Sequence, residues 1–188
     1  MKKLSLLIAF TTLVTFIILW TPNEKLPHSH LTKRPQEYMT QVSITSFTEE
    51  GQLKNHLSAA YWAYLPETQI SKLTTPHLTV YRPNNTVWLI DAKQGQIQQP
   101  TIGIIEQIKL LDTVVLQRPK TQEALPVIIE TDELNYHPKT EFAETDKAIT
   151  LTKPGLQITG VGLNAYIDKS LVELLHQVKT TYVPHTNS

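Results

Sequence analysis

Apolar and polar residues alternate along much of the chain from Val42 onward. The two clearest runs have apolar residues of one parity: Ile108, Leu110, Val114 and Leu116 in one, and Val161, Leu163, Ala165 and Ile167 in the other. Because successive side chains of a strand point to opposite faces, this period of two is typical of half-buried β-strands. Prolines recur through the same region and are expected at strand ends and edges. The pattern predicts many short strands, as in an all-β sandwich or barrel.

Two glycines stand in predicted turns between these strands. Gly51 follows two glutamates, and Gly155 follows Lys153 and Pro154. Glycine reaches positive φ at little cost, so we expect both to be turn residues.

The segment from Leu171 to Tyr182 fits two periodicities. Leu171, Leu174, Leu175 and Val178 would form a helix stripe, whereas Val172, Leu174, Val178, Thr180 and Tyr182 would form a strand face. Periodicity alone does not decide such a run. The predicted β structure upstream favours a strand.

The N-terminal residues from Leu4 to Trp20 carry no charge and follow two lysines. This run is near the short end of the roughly 17–25 apolar residues that a membrane-spanning helix needs. A cleaved signal peptide is the alternative, but no A-x-A-like cleavage site follows the run. We therefore expect a head at residues 1–3, a transmembrane helix at 4–20, a linker at 21–38, a β domain at 39–185 and a tail at 186–188. Lysines occur on both sides of the run, so the count of positive charges gives almost no preference for either orientation. The short Lys-rich head favours a cytoplasmic N-terminus.

Composition narrows the function classes. The 188 residues carry a formal net charge of +0 and include no cysteine. A neutral chain gives no electrostatic reason to bind nucleic acid. The lack of cysteine excludes disulfides, thiol nucleophiles and cysteine zinc sites.

Candidate chemistry is sparse. His28 and His30 lie close together in the linker, but without further ligands they make a poor metal site. An acidic cluster could supply paired carboxylates for acid–base catalysis, although a solvated hairpin explains it better; its members are Asp132, Glu133, Glu141, Glu144 and Asp146. We therefore expect no enzyme, no metal site and no cofactor.

Apolar residues are concentrated in residues 102–116 and 127–129 and occur there on both parities. A strand that is apolar on both faces is either buried on both sides or lines something apolar. An ordinary sandwich core with bulges satisfies the pattern. An apolar groove between two sheets, able to take lipid chains, satisfies it as well.

Several short motifs, in their order and spacing, resemble the LptC family, lipopolysaccharide export system protein C. They are Glu50-Gly51-x-Leu53 with Leu57-x-Ala59, Asp91-Ala92-Lys93, Thr131-Asp132-x-Leu134, Pro154-Gly155-Leu156-x-Ile158-x-Gly160 with Asn164-Ala165-Tyr166, and the closing run from Val178 to Tyr182. The resemblance covers nearly the whole chain.

The resemblance implies a twisted-boat, β-jellyroll-like domain of two layered antiparallel sheets in the periplasm, held by a single-pass helix in the inner membrane. Lipopolysaccharide would arrive from an inner-membrane ABC transporter complex of the LptB/LptF/LptG type. It would leave to a periplasmic LptA-type bridge protein, as a step of outer membrane biogenesis. A membrane-tethered structural or assembly β protein without lipid cargo is the alternative.

The resemblance also implies roles for particular residues. The apolar interior that binds lipid would be lined by Val42, Ile44, Trp62, Leu73, Ile90, Ile108, Leu110, Val114, Tyr136 and Ile149. Gly51 and Gly155 would be turn residues whose loss disturbs partner docking. The partner edge strand would present Leu171, Val172, Leu174, Val178, Thr180 and Tyr182.

Overall fold

The computed structural model describes residues 37–82, 86–98, 105–122 and 124–182. These residues form strands β1 (Glu37–Phe47), β2 (Leu53–Leu65), β3 (Ile70–Thr74), β4 (His77–Tyr81), β5 (Val87–Asp91), β6 (Gln94–Gln98), β7 (Gln107–Arg118), β8 (Val127–His137), β9 (Phe142–Lys153), β10 (Leu156–Tyr166) and β11 (Leu171–Tyr182). The expected head, helix and tail, and nearly all of the linker, lie outside the described residues. Within those ranges, no helix is long and apolar enough to cross a membrane.

All eleven strands belong to one antiparallel sheet, so the all-β prediction is confirmed. The long strands β2 and β7 are joined twice, once through β4 and β5 and once through β3 and β6. β8, β9, β10 and β11 then follow β7 in chain order. Among the described strands, β1 pairs only with β2 and β11 pairs only with β10, so these two are the edges.

The long strands bend near their middles. φ is positive at Asp112 and Thr113 in β7, at Gly162 in β10 and at Gln177 in β11. The pairing register shifts at the same places. Such bulges bend a strand and increase its twist. Each long strand therefore gives one half to a first layer, with β4 and β5, and the other half to a second layer, with β3 and β6.

The two layers face each other. The hydroxyl of Tyr136 on β8 donates a hydrogen bond to Oδ1 of Asn55 on β2 at 3.3 Å. Four strand-to-strand steps separate β8 from β2 in the sheet order, which amounts to about 19 Å in a flat sheet. The contact is therefore made only because the sheet folds over. The two expected sheets are two halves of one continuous sheet, since the long strands run through the bend.

Cross-strand neighbours line up in rows on the inner faces. The row of the first layer contains Leu57, Leu78, Ile90, Leu116, Ile129, Leu151, Ile158 and Thr180. The row of the second layer contains Ser71, Ile97, Ile108, Tyr136, Ala143, Ala165 and Val172. Most of these side chains belong to one hydrophobic core. Each fully buried large aliphatic residue contributes about 1.5–3 kcal/mol to stability, so this core is the main support of the fold.

Candidate functional site: the interior between the two layers

Most of the predicted lining residues lie in the hydrophobic core. Those exposed by 5% or less are Trp62, Leu73, Ile90, Ile108, Leu110, Val114, Tyr136 and Ile149. Val42 is half-buried and packs against the same core. Ile44 is 37% exposed. The fold therefore brings these residues together around one interior, from segments that are distant in sequence.

Ile44 differs from the rest because it lies on an edge strand. It pairs with the core residue Leu57, and Val42 pairs with Ala59, so both face inward. No described strand lies beyond β1. At this edge the inner face therefore has a neighbouring strand on one side only, and the Ile44 side chain stays partly in water.

The opposite edge shows the same feature more strongly. Thr180 pairs with Ile158, and Tyr182 pairs with Leu156, so these β11 residues face inward. Tyr182 is nevertheless 74% exposed, and Val178 is 52% exposed. The inner face is thus buried in the middle of the molecule and open to solvent at both edge strands.

Of the remaining residues predicted on the edge strand, Val172 and Leu174 are half-buried and pack against the core. Leu171, at the start of β11, is 45% exposed. The segment is a strand, as the chain context favoured. No other described strand pairs with its outer edge, whose backbone groups can pair with a further strand.

A polar cluster lies at one end of the interior, and the sequence did not predict it. We call it the end cluster; its members are Lys54, Asn55, Arg82, Tyr136 and Glu141. Glu141 accepts a hydrogen bond from Arg82 and lies 3.9 Å from Nζ of Lys54. Burial raises the pKa of Tyr136, and the positive charge of Arg82 opposes that shift. No local motif could reveal the cluster, since its members come from three separate parts of the chain.

A family model described as lipopolysaccharide-assembly, LptC-related, matches residues 6–183. The chain belongs to the LptC-related family. The resemblance seen in the sequence is therefore confirmed. A comparison with curated proteins gave no match.

The LptC-related chain also resembles a solved structure. This is the crystal structure of LptH, the LptA homologous periplasmic component of the conserved lipopolysaccharide transport device from Pseudomonas aeruginosa. The match has a TM-score of 0.53 at 6% identity and covers 69% of this chain and 95% of LptH. At that identity the likeness concerns the fold, which is an LptA-like β-jellyroll.

Gly51 and Gly155, through which the sequence resembles the LptC-related family, both lie in turns. Gly51 has φ +80° between β1 and β2, and Gly155 has φ +75° between β9 and β10. Residues with a Cβ adopt this left-handed conformation at a cost. The turn geometry explains why glycine stands there, while an effect on partner docking stays a prediction.

Most carboxylates of the acidic cluster have basic partners in this LptC-related chain. Glu133 pairs with Lys109 at 2.7 Å, and Glu144 pairs with His137 at 3.2 Å. A hydrogen bond from Lys147 holds the pKa of Asp146 below its usual range. Within the described residues, no group of His, Asp or Glu is arranged to hold a metal ion. These carboxylates thus lie on or beside neighbouring hairpin strands, and most of them take part in ion pairs.

Proposed function

We propose that this LptC-related protein carries lipopolysaccharide between an inner-membrane ABC transporter complex of the LptB/LptF/LptG type and a periplasmic LptA-type bridge protein. Its N-terminal helix, residues 4–20, would hold it in the inner membrane with the β domain in the periplasm. Family membership and the LptA-like fold support a part in lipopolysaccharide transport. The cargo's acyl chains would lie between the two layers, out of water.

One observation carries the lipid-binding proposal. The inward-facing row of the first layer runs without a break from Ile44 on β1 to Thr180 on β11, and both of its ends are exposed. Each methylene of an acyl chain that leaves water contributes about 0.8 kcal/mol, so an apolar path of this kind favours acyl chains. Two exposed ends give the chains a place to enter and a place to leave.

Because the middle of the interior is filled, acyl chains would enter only if the layers separate. Leu110 and Tyr136 are fully buried. Separating the layers costs packing energy, and the acyl chains would offset this cost by filling the space. The net affinity would be moderate, as release to the next protein requires.

Transfer onward would use the free edge of β11. Its unpaired N–H and C=O groups can pair with an edge strand of an LptA-type protein, which would extend the sheet from one protein into the next. The inner rows would then continue across the junction.

Photo-cross-linking tests the proposal. A photo-reactive amino acid at Ile108 or Leu110 faces the interior, whereas the same group at Lys109, between them, faces outward. We expect lipopolysaccharide adducts at Ile108 and Leu110 and none at Lys109. Equal capture at Lys109, or no capture at any inward position, would refute a lipid-binding interior.

The filled interior favours a second candidate, a membrane-tethered structural or assembly β protein without lipid cargo. The same experiment separates the two. A protein that binds its β-rich partner but never cross-links to lipopolysaccharide would be an assembly protein.

A further inference from the structure

A cavity of about 550 Å³ opens at one end of the fold, and its described wall residues lie in or beside three connections between strands. The turn between β1 and β2 contributes Thr48 and Gln52 to its wall. Arg82 directly follows β4, Thr86 directly precedes β5, and Glu141 comes from the turn between β8 and β9. The cavity thus lies at this end of the fold, at the end cluster.

The charges in this cavity do not balance. Lys54 and Arg82 are its cations, and Glu141 is its one carboxylate among the described wall residues. The side chains of Lys54, Arg82 and Glu141 are only 30%, 18% and 12% exposed. Nζ of Lys54 is 3.9 Å from the carboxylate, which is too long for a hydrogen bond. Glu141 is therefore shared by two cations, and the described cavity wall carries one more positive charge than negative. This excess favours binding of an anion that carries more charge than a carboxylate.

We propose that this cavity binds a phosphate group of an amphipathic ligand, with Arg82 and Lys54 contacting the phosphate oxygens and Glu141 moving aside. A phosphate monoester carries about −1.5 to −2 charges at neutral pH, which matches two cations better than one carboxylate does. The planar guanidinium of Arg82 suits two phosphate oxygens, and Lys54 adds a point charge.

The apolar interior begins directly behind the cavity. Val80 lies on β4, two positions before Arg82, and its cross-strand neighbour Trp88 is 1% exposed. The indole Nε1 of Trp88 has no hydrogen-bond partner among the described residues. A ligand with its phosphate at Arg82 would place attached apolar chains against these two side chains. This contact with apolar chains rests on the proposed lipid-binding interior, whereas the phosphate site does not.

Departure of Glu141 has a structural consequence. Its contacts with Arg82 and Lys54 tie the turn between β8 and β9 to the facing layer. A phosphate that replaces the carboxylate breaks this tie. Binding of the phosphate would therefore loosen the two layers at this end, next to the interior that the acyl chains would occupy.

The test compares phosphorylated lipid A with enzymatically dephosphorylated lipid A, by calorimetry on the full chain in detergent. We expect the wild type to prefer the phosphorylated form by about tenfold to a hundredfold, the range given by one or two charge-assisted hydrogen bonds. Arg82→Gln should reduce this preference to about one, and Arg82→Lys should leave an intermediate value. Glu141→Gln should tighten binding of the phosphorylated form.

The matched control is Lys109→Gln, which removes a cation from an ion pair with Glu133 outside the cavity. It should keep the full preference for phosphate. Far-UV circular dichroism checks that each variant is folded. A wild type that binds both lipids equally, or an Arg82→Gln variant that behaves like Lys109→Gln, would overturn the lipid phosphate site.

Inorganic pyrophosphate separates a headgroup site from a site for free phosphate, and it needs no lipid. A rise in the thermal midpoint of the wild type, absent in Arg82→Gln, would show that the cavity binds free phosphate. If no lipid binds to any variant, the lipid-binding interior fails, and the pyrophosphate result alone decides the anion site. No shift with pyrophosphate and no preference for phosphorylated lipid would refute the site.

Discussion

Replacing Gly162 by alanine should displace the edge strand β11. Gly162 lies at the bend of β10 with φ +80°. A Cβ added there would lie 3.1 Å from Cδ1 and 3.2 Å from Cβ of Leu175 on β11. Both distances are shorter than ordinary van der Waals contact, so either Leu175 or the strand that carries it must move.

The expected loss of stability has two parts. Alanine in the left-handed region costs roughly 1–2 kcal/mol relative to glycine. Overpacking costs typically about 1–3 kcal/mol, and the lower end applies here because Leu175 is 44% exposed and can partly turn away. Together, Gly162→Ala should lower the free energy of unfolding by about 2–3 kcal/mol.

Gly51→Ala is the matched control for the backbone part. Gly51 also has φ +80°, but a Cβ added there would meet no atom within 4 Å. Urea unfolding followed by circular dichroism should show a loss of about 1 kcal/mol there, with a further loss at Gly162. Adding Leu175→Ala should recover part of the difference in a double-mutant cycle. Equal losses at the two glycines, with no coupling to Leu175, would refute the close packing of β11 on the bend.

Two further predictions concern the buried tyrosine and the free edge. Because burial raises the pKa of Tyr136 above its ordinary 10.0, the unfolded chain loses this proton first, and stability should fall as the pH rises above that value. Tyr136→Phe should cost about 1 kcal/mol near neutral pH and flatten this alkaline slope in urea titrations, and an unchanged slope would contradict the assignment. Of Lys179 and Thr180, neighbours on β11, one N–H points to β10 and the other to the free edge. We expect proline at one of these two positions to leave stability in urea unchanged, because it removes the N–H at the free edge. That variant should no longer co-purify with an LptA-type partner, and retained binding in both proline variants would exclude pairing through this edge.

Much of the strand structure could be predicted because it follows from local periodicity. Ile108, Leu110, Val114 and Leu116 share one parity in the sequence and face one core in the structure. Asp112, at the break in that run, has positive φ at the bend of β7. The inner faces of long strands can thus be identified from residue type and spacing alone.

Solvent exposure along an inner face could not be predicted in the same way. Ile44 and Ile90 have the same side chain and both face inward, yet Ile44 is 37% exposed and Ile90 is fully buried. The difference depends on strand order, since β1 has one neighbour and β5 lies within the sheet. Strand order is a property of long-range pairing that periodicity does not contain.

The sequence by itself determined that this protein has an all-β domain, which residues face its interior, where its turn glycines lie and to which family it belongs, because each of these depends on local spacing and short motifs. Only the tertiary structure decided that one continuous sheet folds over to form both layers. It also brought Lys54, Arg82 and Glu141 together at one end of the interior. Contacts between residues so distant in the chain arise from the bend of the long strands, and that bend depends on how all the strands pair.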